Sequence, residues 1–341
     1  MKAKILSLLR ERADYVSGQE LCEYFGVSRT AVWKAVGQLK KEGYVIEAVQ
    51  NRGYRLVEGE KPDSEEVYGQ SELASRMHTA WAGRQLYFYE SLGSTNIEAK
   101  RLAESGAPHG ALVVADMQTA GRGRRGRGWE SPAGTNIYFT IVLKPKFAPD
   151  KASMLTLVMA YAVAEGVKKT LADYDREASA FELGIKWPND IVINGKKICG
   201  ILTEMSMSVE QAAIQYVVIG VGVNVGKQNF APEVADKATG LNQECGIRIS
   251  RSRLLSDIME AFEKSYEQFA EQENLAAFKE AYNALLVNRG REICVLDPKG
   301  EYRGVARGID DTGELLVELP DKSITRVYAG EVSVRGIYGY V

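Results

Sequence analysis

The chain has 341 residues, of which 45% are hydrophobic and 26% are charged, and its formal net charge is −2. This length predicts two or three domains, and the composition is that of a folded globular protein rather than a disordered or fibrous one. The four cysteines include no C-x-x-C pair and there are only two histidines, so we expect neither a disulfide framework nor a zinc site.

The chain shows no targeting or membrane segment. The start, MKAKILSLLRERADY, has only a short apolar stretch before charged residues, which is unlike a signal or transit peptide. The longest apolar runs, at 154–164 and 216–225, are much shorter than the ~20 residues that a membrane span needs. We therefore expect a cytoplasmic protein that has no membrane partner.

The first segment of the chain is basic. Residues 1–57 hold ten Lys and Arg against six Asp and Glu, a net charge of +4 that leaves −6 for the remainder. Ile5, Leu8 and Leu9 fall on one face of a predicted first helix. The charge makes this segment a candidate for binding a polyanion.

Two further helices are predicted after the first, separated by a break at Gly26. Ser28 is a good N-cap for the third helix, in which Val32, Val36 and Leu39 recur at helical spacing. Two helices joined by a tight turn that contains glycine form the helix-turn-helix pattern.

A basic hairpin follows the third helix. The stretch YVIEAVQNRGYRLV predicts two short strands, with Arg52 at their connection. Three helices and such a hairpin predict a winged helix, whose third helix would enter the major groove of DNA. The alternative is a small helical bundle with a solvated cluster of lysines. The residues that we expect to contact DNA are Ser28, Arg29, Thr30, Trp33, Lys34, Gln38 and Arg52.

The rest of the chain divides into a linker and two folded regions. Residues 58–67 carry five acidic residues and a proline, which is typical of a linker. The predicted organisation is a winged helix over 1–60, a linker over 61–82, a mixed α+β domain over 83–285 and a small β-barrel over 286–341. In the α+β domain, Asn194-Gly195 is a strong hairpin signal that predicts antiparallel pairing.

The stretch GRGRRGRG at 121–128 satisfies G-x-G-x-x-G but lacks the context of a dinucleotide site. A strand rather than a helix follows it, and the Lys and Ser/Thr of a P-loop are also missing. An RNA-binding RG segment would normally lie in a disordered tail. Four arginines in six residues repel one another, so we expect a loop that orders around an anionic ligand. The alternative is a solvated basic turn.

Several neutral polar residues and one lysine interrupt apolar strand-like surroundings. Ser94 and its neighbours precede a helix, where they can cap it or hold a neutral ligand. Strand alternation sends Lys196 and Lys197 to opposite faces, so only one of them can enter a pocket. Asn224 lies within an apolar run, where a buried amide must find partners.

Four motifs together resemble those of the biotin protein ligases: GRGRRGRGW at 121–129, KWPND at 186–190, GKKICGIL at 195–202 and IGVGVNVG at 219–226. With a winged helix before them and a small barrel after them, the whole chain resembles the bifunctional members that also repress the biotin operon. The resemblance implies a multidomain α/β protein with a central domain like class II aminoacyl-tRNA synthetases and a C-terminal SH3-like barrel.

The resemblance also implies roles for individual residues. Lys197, Arg122 and Arg124 would be catalytic, and Asp190 would be a neighbour of Mg²⁺. The implied biotin-binding residues are Ser94, Thr95, Asn96, Gln118, Arg122, Gly123, Arg124 and Lys197. The implied ATP- and adenylate-binding residues are Arg125, Arg127, Trp129 and Asn224.

The implied reaction uses ATP and Mg²⁺ to convert biotin to biotinyl-5′-AMP and then transfers biotin to a lysine of the biotin carboxyl carrier protein of acetyl-CoA carboxylase and of other biotin-dependent carboxylases. The same intermediate would be a corepressor that promotes a homodimer on operator DNA. Three alternatives stay open: a ligase that does not bind DNA, a metabolite-sensing repressor without catalysis, and a lipoate ligase.

Overall fold

The computed structural model describes residues 1–57, 66–176, 180–208, 210, 212–227, 230–297, 300–328 and, by backbone alone, 333–336. The acidic part of the predicted linker, 58–65, lies outside the described residues. The chain divides into two compact units, Met1–Met77 and His78–Val341. Among the described residues, no helix is both long and apolar enough to cross a membrane.

The first unit is a helix-turn-helix followed by a β-hairpin, as predicted. Its elements are α1 (Lys2–Arg12), α2 (Gly18–Phe25), α3 (Arg29–Lys41), β1 (Ile46–Val49), β2 (Gly53–Leu56) and α4 (Gln70–Arg76). Ser28 caps α3 by accepting a hydrogen bond from the backbone N–H of Ala31 at 3.2 Å. Gly26 ends α2 with φ 63°, a conformation that favours glycine.

The hairpin is held against the helices by a close backbone contact. Strands β1 and β2 pair antiparallel, with Ile46 opposite Leu56. Gly53 has φ 109°, and a Cβ there would overlap the carbonyl oxygen of Val16. Backbone hydrogen bonds between Val16 and Tyr54 close this contact at 2.8 and 2.9 Å.

Helix α4 belongs to this first unit, although the sequence prediction places it in the linker. Its Glu72 is 4% exposed and pairs with Arg10 of α1 at 2.5 Å and with Arg76 at 2.5 Å. It also accepts a hydrogen bond from the hydroxyl of Tyr44 at 2.9 Å. These contacts and the burial of Leu73 attach the segment to α1, so the unit extends past residue 60 to Met77.

A mixed seven-stranded sheet organises the second unit. Its order is β3-β4-β5-β9-β8-β7-β6, in which only β3 and β4 are parallel. The strands are β3 (Leu86–Leu92), β4 (Leu112–Gln118), β5 (Ile137–Leu143), β6 (Leu183–Lys186), β7 (Asp190–Ile193), β8 (Lys196–Ser208) and β9 (Ala213–Val223). The Asn194-Gly195 turn joins β7 to β8 with both residues at positive φ, which confirms the predicted hairpin.

Helices pack on this sheet. They are α5 (Thr95–Glu104), α6 (Leu155–Ala172), α7 (Pro232–Ala235), α8 (Leu241–Cys245), α9 (Arg251–Gln272) and α10 (Lys279–Leu285). Helix α5 buries Ala99 and Ala103 against Val113 and Val218 of the sheet. Helices α6 and α9 are the longest of them, with 18 and 22 residues.

The C-terminal part is an antiparallel five-stranded sheet in the order β13-β12-β11-β10-β14. Its strands are β10 (Glu292–Asp297), β11 (Gly300–Ile309), β12 (Leu315–Glu318), β13 (Ile324–Val327) and β14 (Ser333–Gly336). Buried Trp187, beside β6 and β7, donates from Nε1 to the carbonyl of Gly313 at 3.1 Å. The central sheet and the C-terminal sheet therefore share a packed junction.

Candidate active site

A cleft opens over β8 and β9 and is bordered by the end of β4 and the start of α5. All eight residues predicted to bind biotin line this cleft, together with Trp129. The lining also includes residues that the sequence analysis did not select, namely Asn189, Gly200, Ile201, Leu202, Gly220, Val221 and Gly222. None of the described lining residues carries a carboxylate, so the cleft suits an anionic ligand.

One end of the cleft is neutral and is organised by Gln118. Its Oε1 accepts hydrogen bonds from the backbone N–H and the hydroxyl of Thr95, at 2.9 and 3.1 Å. Its Nε2 donates to the hydroxyl of Ser131 at 2.9 Å. Ser94 occupies the N-cap position of α5, but its side chain makes no capping hydrogen bond. Gln118, rather than Ser94, thus accepts the hydrogen bond from the first backbone N–H of α5.

Asn96 is held by hydrogen bonds at both ends of its side-chain amide. Its Nδ2 donates to Glu204 at 2.7 Å, and its Oδ1 accepts from the hydroxyl of Thr140 at 2.7 Å. Burial alone would raise the pKa of Glu204, but Lys100, 2.6 Å away, and Asn96 outweigh it and lower that pKa. A Cβ on Gly220 would overlap Oδ1 of Asn96, so this glycine makes room for the amide.

Lys197 provides a positive charge at the other end. It is the predicted inward-facing lysine, since Lys197 lines the cleft and Lys196 does not. Its Nζ lies 2.6 Å from Oδ1 of Asp190 and 5.3 Å from the ring centroid of Trp129. The tight turn at 194–195 starts β8, and strand alternation then directs Lys197 into the cleft.

The floor of the cleft is bare backbone on which Trp129 lies. A Cβ on Gly222 would overlap Nε1 of Trp129, and a Cβ on Gly200 would lie 2.9 Å from Cζ3 of the same ring. The indole Nε1 of Trp129 is buried and has no hydrogen-bond partner among the residues that the structure describes. The alternating glycines in the sequence VVIGVGV were the available signal for a floor that accommodates a ring.

The arginine-rich stretch forms a compact turn beside the cleft. A backbone bridge joins Arg122 to Gly128, the N–H of Gly123 donates to the carbonyl of Arg127 at 2.7 Å, and residues Arg124–Gly126 form one 3₁₀ turn. Arg122, Gly123 and Arg124 line the cleft, whereas Arg125 and Arg127 are exposed beside it. Burial lowers the pKa of Arg124, although the charge of Asp190 opposes this shift.

Four of the predicted site residues lie outside the lining: Arg125, Arg127, Asp190 and Asn224. Asn224 is buried, its N–H donates to the carbonyl of Ile198 at 2.7 Å, and its carbonyl accepts from Leu241 at 3.1 Å. These backbone bonds place Asn224 at the junction of β9 with the segment that leads to α8.

The described residues contain no group of three or more His, Cys, Asp and Glu that could hold a metal ion. Asp190 is the carboxylate paired with Lys197 near the cleft. Mg²⁺ commonly binds through one or two carboxylates and the phosphates of a substrate. The residues present therefore fit a magnesium ion that is held largely by a nucleotide, and not a cage built by the protein.

The first unit carries the candidate DNA interface. Residues Ser28, Arg29, Thr30, Trp33, Lys34 and Gln38 are all exposed along α3, while Val32, Val36 and Leu39 of the same helix are buried. Trp33 is 66% exposed, which is unusual for a large ring. The guanidinium of Arg52, in the hairpin turn, stacks 4.2 Å above the ring of Tyr15.

Comparisons with known proteins agree with this arrangement. Residues 88–224 match the biotin/lipoate A/B protein ligase family, residues 2–55 match an HTH domain, and residues 290–335 match the biotin protein ligase C-terminal domain. The chain is 38% identical to the bifunctional ligase/repressor BirA of Bacillus subtilis over 94% of each chain. It is 32% identical to the bifunctional ligase/repressor BirA of Escherichia coli over 97% of this chain and 96% of the relative.

A solved structure shares the fold over about three quarters of this chain. The biotin protein ligase from Aquifex aeolicus in complex with biotin and ATP is similar with a TM-score of 0.62 and 28% identity, over 74% of this chain and 99% of that one. The chain thus belongs to the biotin/lipoate A/B protein ligase family. Within that family it is a biotin protein ligase of the bifunctional ligase/repressor type, because the similarity extends over nearly its whole length and includes the HTH domain.

Proposed function

We propose that this protein activates biotin with ATP to form biotinyl-5′-AMP and transfers biotin to a lysine of the biotin carboxyl carrier protein of acetyl-CoA carboxylase and of other biotin-dependent carboxylases. The observation that carries this proposal is the polarity of the cleft. A neutral end built by Thr95 and Gln118 continues into a cationic end built by Lys197 and the arginine turn. Biotin has this same polarity, with a neutral ureido ring at one end and a carboxylate at the other.

The neutral end binds the ureido ring. Ser94, Thr95, Asn96 and Gln118 offer hydroxyl and amide groups to its carbonyl and N–H groups. Arg122, Gly123 and Arg124 cover the ligand from the arginine turn. Lys197 contacts the carboxylate and, after activation, the phosphate of the adenylate.

Activation joins two anions, so fixed positive charge is the main requirement. A carboxylate oxygen of biotin attacks the α-phosphorus of ATP, the bond to the β-phosphate oxygen breaks, and pyrophosphate leaves. Lys197, Arg122 and Arg124 offset the repulsion between the carboxylate and the phosphates and stabilise the charge that develops. No nucleophilic side chain is needed.

Transfer then proceeds by attack of the acceptor lysine amine on the biotinyl carbonyl carbon. The bond to the phosphate oxygen breaks, AMP leaves, and the amine proton passes to solvent. The mixed anhydride is prone to hydrolysis, so the arginine turn protects it from water until the acceptor arrives.

The nucleotide lies toward Trp129, whose buried Nε1–H has no partner within the described part of the chain and so offers a donor. Arg125 and Arg127, exposed beside the cleft, reach the phosphates. Asn224 supports the adenylate end from the junction of β9 and α8. Asp190 would hold Mg²⁺ together with the phosphates of ATP, where the ion supplies charge neutralisation.

The same protein represses genes of biotin synthesis and transport. We assign operator contacts to the exposed residues of α3 and to Arg52, with biotinyl-5′-AMP as the corepressor and a homodimer as the species that binds two half-sites. The central domain is like that of class II aminoacyl-tRNA synthetases, the C-terminal sheet is an SH3-like barrel, and the protein is cytoplasmic.

The test of catalysis is incubation with ATP, biotin and a biotin carboxyl carrier domain, comparing wild type, Lys197→Ala and the matched control Lys196→Ala. We expect Lys197→Ala to lower transfer by about 100-fold, as loss of one preorganised charge does elsewhere. Lys196→Ala, which does not line the cleft, should transfer biotin like the wild type. Full transfer by Lys197→Ala would refute the central catalytic assignment.

Two further measurements separate the alternatives. Replacement of biotin by lipoate in the same assay should give no modified acceptor. A gel shift with a biotin-operon region should appear only when both biotin and ATP are present. Transfer without any shift would indicate a ligase that does not bind DNA, and a shift without transfer would indicate a non-catalytic repressor.

A further inference from the structure

Asn189 links the arginine turn to the central sheet. Nη1 of Arg124 donates to Oδ1 of Asn189 at 3.0 Å. The side chain of Asn189 in turn donates from Nδ2 to the carbonyl of Ile201 at 3.1 Å, and its backbone carbonyl accepts from the N–H of Ile201 at 3.0 Å. Two hydrogen bonds therefore fix Asn189 to β8, and neither of them involves the arginine turn.

The contact between Arg124 and Asn189 is a single hydrogen bond to a neutral acceptor, which positions Arg124 and can still break. Oδ1 of Asn189 is oriented by the bond from Nδ2 to Ile201, so the acceptor faces the guanidinium of Arg124 without adjustment. A hydrogen bond from a charged donor is stronger than a neutral one. Asn189 is neutral, so it holds Arg124 without adding a negative charge that would repel an adenylate phosphate.

The charges around Arg124 explain why the turn needs an additional contact with the sheet. Burial lowers the pKa of Arg124, the charge of Asp190 raises it, and Arg125 and Arg127 lower it, so Arg124 is attracted by Asp190 while the two neighbouring guanidinium groups of the turn repel it. The positively charged turn has an electrostatic tendency to spread, and its glycines resist this weakly. A fixed acceptor on the sheet opposes that tendency at the residue that lines the cleft.

We infer that Asn189 is a positioning residue that latches the arginine turn over the cleft through Arg124 and so sets how long biotinyl-5′-AMP stays on the enzyme. The functional part of this inference rests on the proposed function, whereas the latch itself concerns only the ligand-free chain. Asn189 acts on the reaction through Arg124 and not by chemistry on the substrate.

The first test measures hydrogen exchange of the full chain without ligands. We expect Asn189→Ala to speed exchange at residues 121–128 by about tenfold, the factor that loss of one charge-assisted hydrogen bond gives. Asn189→Asp, which keeps an acceptor oxygen for Arg124, should retain most of the protection. The inference is overturned if Asn189→Ala leaves exchange unchanged, if Asn189→Asp is as fast as Asn189→Ala, or if exchange at Ile201 rises as much as in the turn.

The second test measures release of biotinyl-5′-AMP into solution when no acceptor is present. Asn189→Ala should raise the release rate about tenfold in the wild-type background and should have no effect in an Arg124→Ala background. An equal effect in both backgrounds would overturn the inference, because Asn189 would then act independently of Arg124. If no adenylate forms at all, the proposed function fails, while the exchange experiment still decides whether the latch exists.

Discussion

Lys197 and Asp190 form an ion pair beside the cleft, with 2.6 Å between Nζ and Oδ1 and side chains only 23% and 14% exposed. The ammonium group of lysine has three donor hydrogens, so Lys197 can bind an incoming anion while it keeps its contact with Asp190. Asp190 thereby directs Lys197, and its proposed contact with Mg²⁺ would be an additional function.

We predict that Asp190→Asn raises the KM for biotin and the Mg²⁺ concentration for half-maximal activity, each by about tenfold, the lower end of the range for groups that orient a ligand. The reason is that Lys197 loses the charge that orients it and the nucleotide-bound ion loses a carboxylate. Initial rates at varied biotin and Mg²⁺ check this. Asp173→Asn, at a surface pair with Arg253, is the control. If Asp190→Asn and the wild type need the same Mg²⁺ concentration for half-maximal activity, Asp190 does not bind Mg²⁺ and only orients Lys197.

A second prediction concerns the glycine floor. Gly222→Ala should raise the KM for ATP by at least about tenfold, because the new methyl group displaces Trp129 from its place on β9. Gly93→Ala is the matched control, since nothing lies within 4 Å of its missing Cβ. Initial rates at varied ATP compare the two variants. Equal KM values would show that Trp129 does not contribute to nucleotide binding.

A third prediction concerns the pH dependence of the first unit. Burial alone would raise the pKa of Glu72, but Arg10 and Arg76 outweigh it, so the pKa lies below its ordinary value of 4.5. The stabilisation from these pairs is therefore complete above pH 4.5 and is lost as the pH falls through the lower pKa of the folded state. Glu72→Gln should lower the free energy of unfolding by about 3 kcal/mol at pH 7, since it removes the buried carboxylate that pairs with both arginines.

Urea titrations of wild type and Glu72→Gln at pH 7 and at successively lower pH values would measure this effect. The difference in the free energy of unfolding between the two proteins should narrow as the pH falls below 4.5. A gap that stays constant would mean that the charge of Glu72 contributes nothing. Glu98→Gln, at a partly exposed carboxylate of α5 that pairs with exposed Arg101, is the control and should change stability by less than about 1 kcal/mol.

A fourth prediction concerns DNA. Lys34→Ala and Arg52→Ala should each weaken binding to operator and to unrelated DNA alike, and should reduce the slope of log K against log salt by about one for each phosphate that the variant no longer neutralises. Trp33→Ala should instead reduce the preference for operator, because an exposed ring on α3 can contact bases but carries no charge. Lys264→Ala, an exposed lysine on α9, is the control. Unchanged salt slopes for both charge variants would refute the assigned interface.

Local patterns in the sequence predicted much of this structure. The Asn194-Gly195 dipeptide, the cap Ser28 and the apolar spacing of α3 each depend on neighbours within a few residues, so the chain itself carries the signal. The motif resemblance likewise selected nine of the sixteen residues that line the cleft. Strand alternation predicted that only one of Lys196 and Lys197 can enter the cleft, and the resemblance selected Lys197.

The interactions that sequence reasoning missed join residues far apart in the chain. Arg124 and Asn189 are 65 residues apart, and Arg10 and Glu72 are 62 residues apart. No periodicity or spacing connects such pairs, because they meet only after the sheet and the helices have packed. For the same reason Glu72, in an acidic and polar segment, resembled part of a linker until α4 was seen against α1.

The glycine floor also bears on how the cleft could evolve under an inhibitor. Trp129 already lies on Gly200 and Gly222, and Asn96 lies on Gly220, so a compound in the cleft would pack against these two side chains rather than on the three glycines themselves. Any substitution of these glycines adds a side chain where Asn96 or Trp129 already lies. A substitution there that weakened inhibitor binding would therefore also weaken binding of the natural ligand. Escape would have to come from the arginine turn or the rim, where side chains can change without displacing a neighbour.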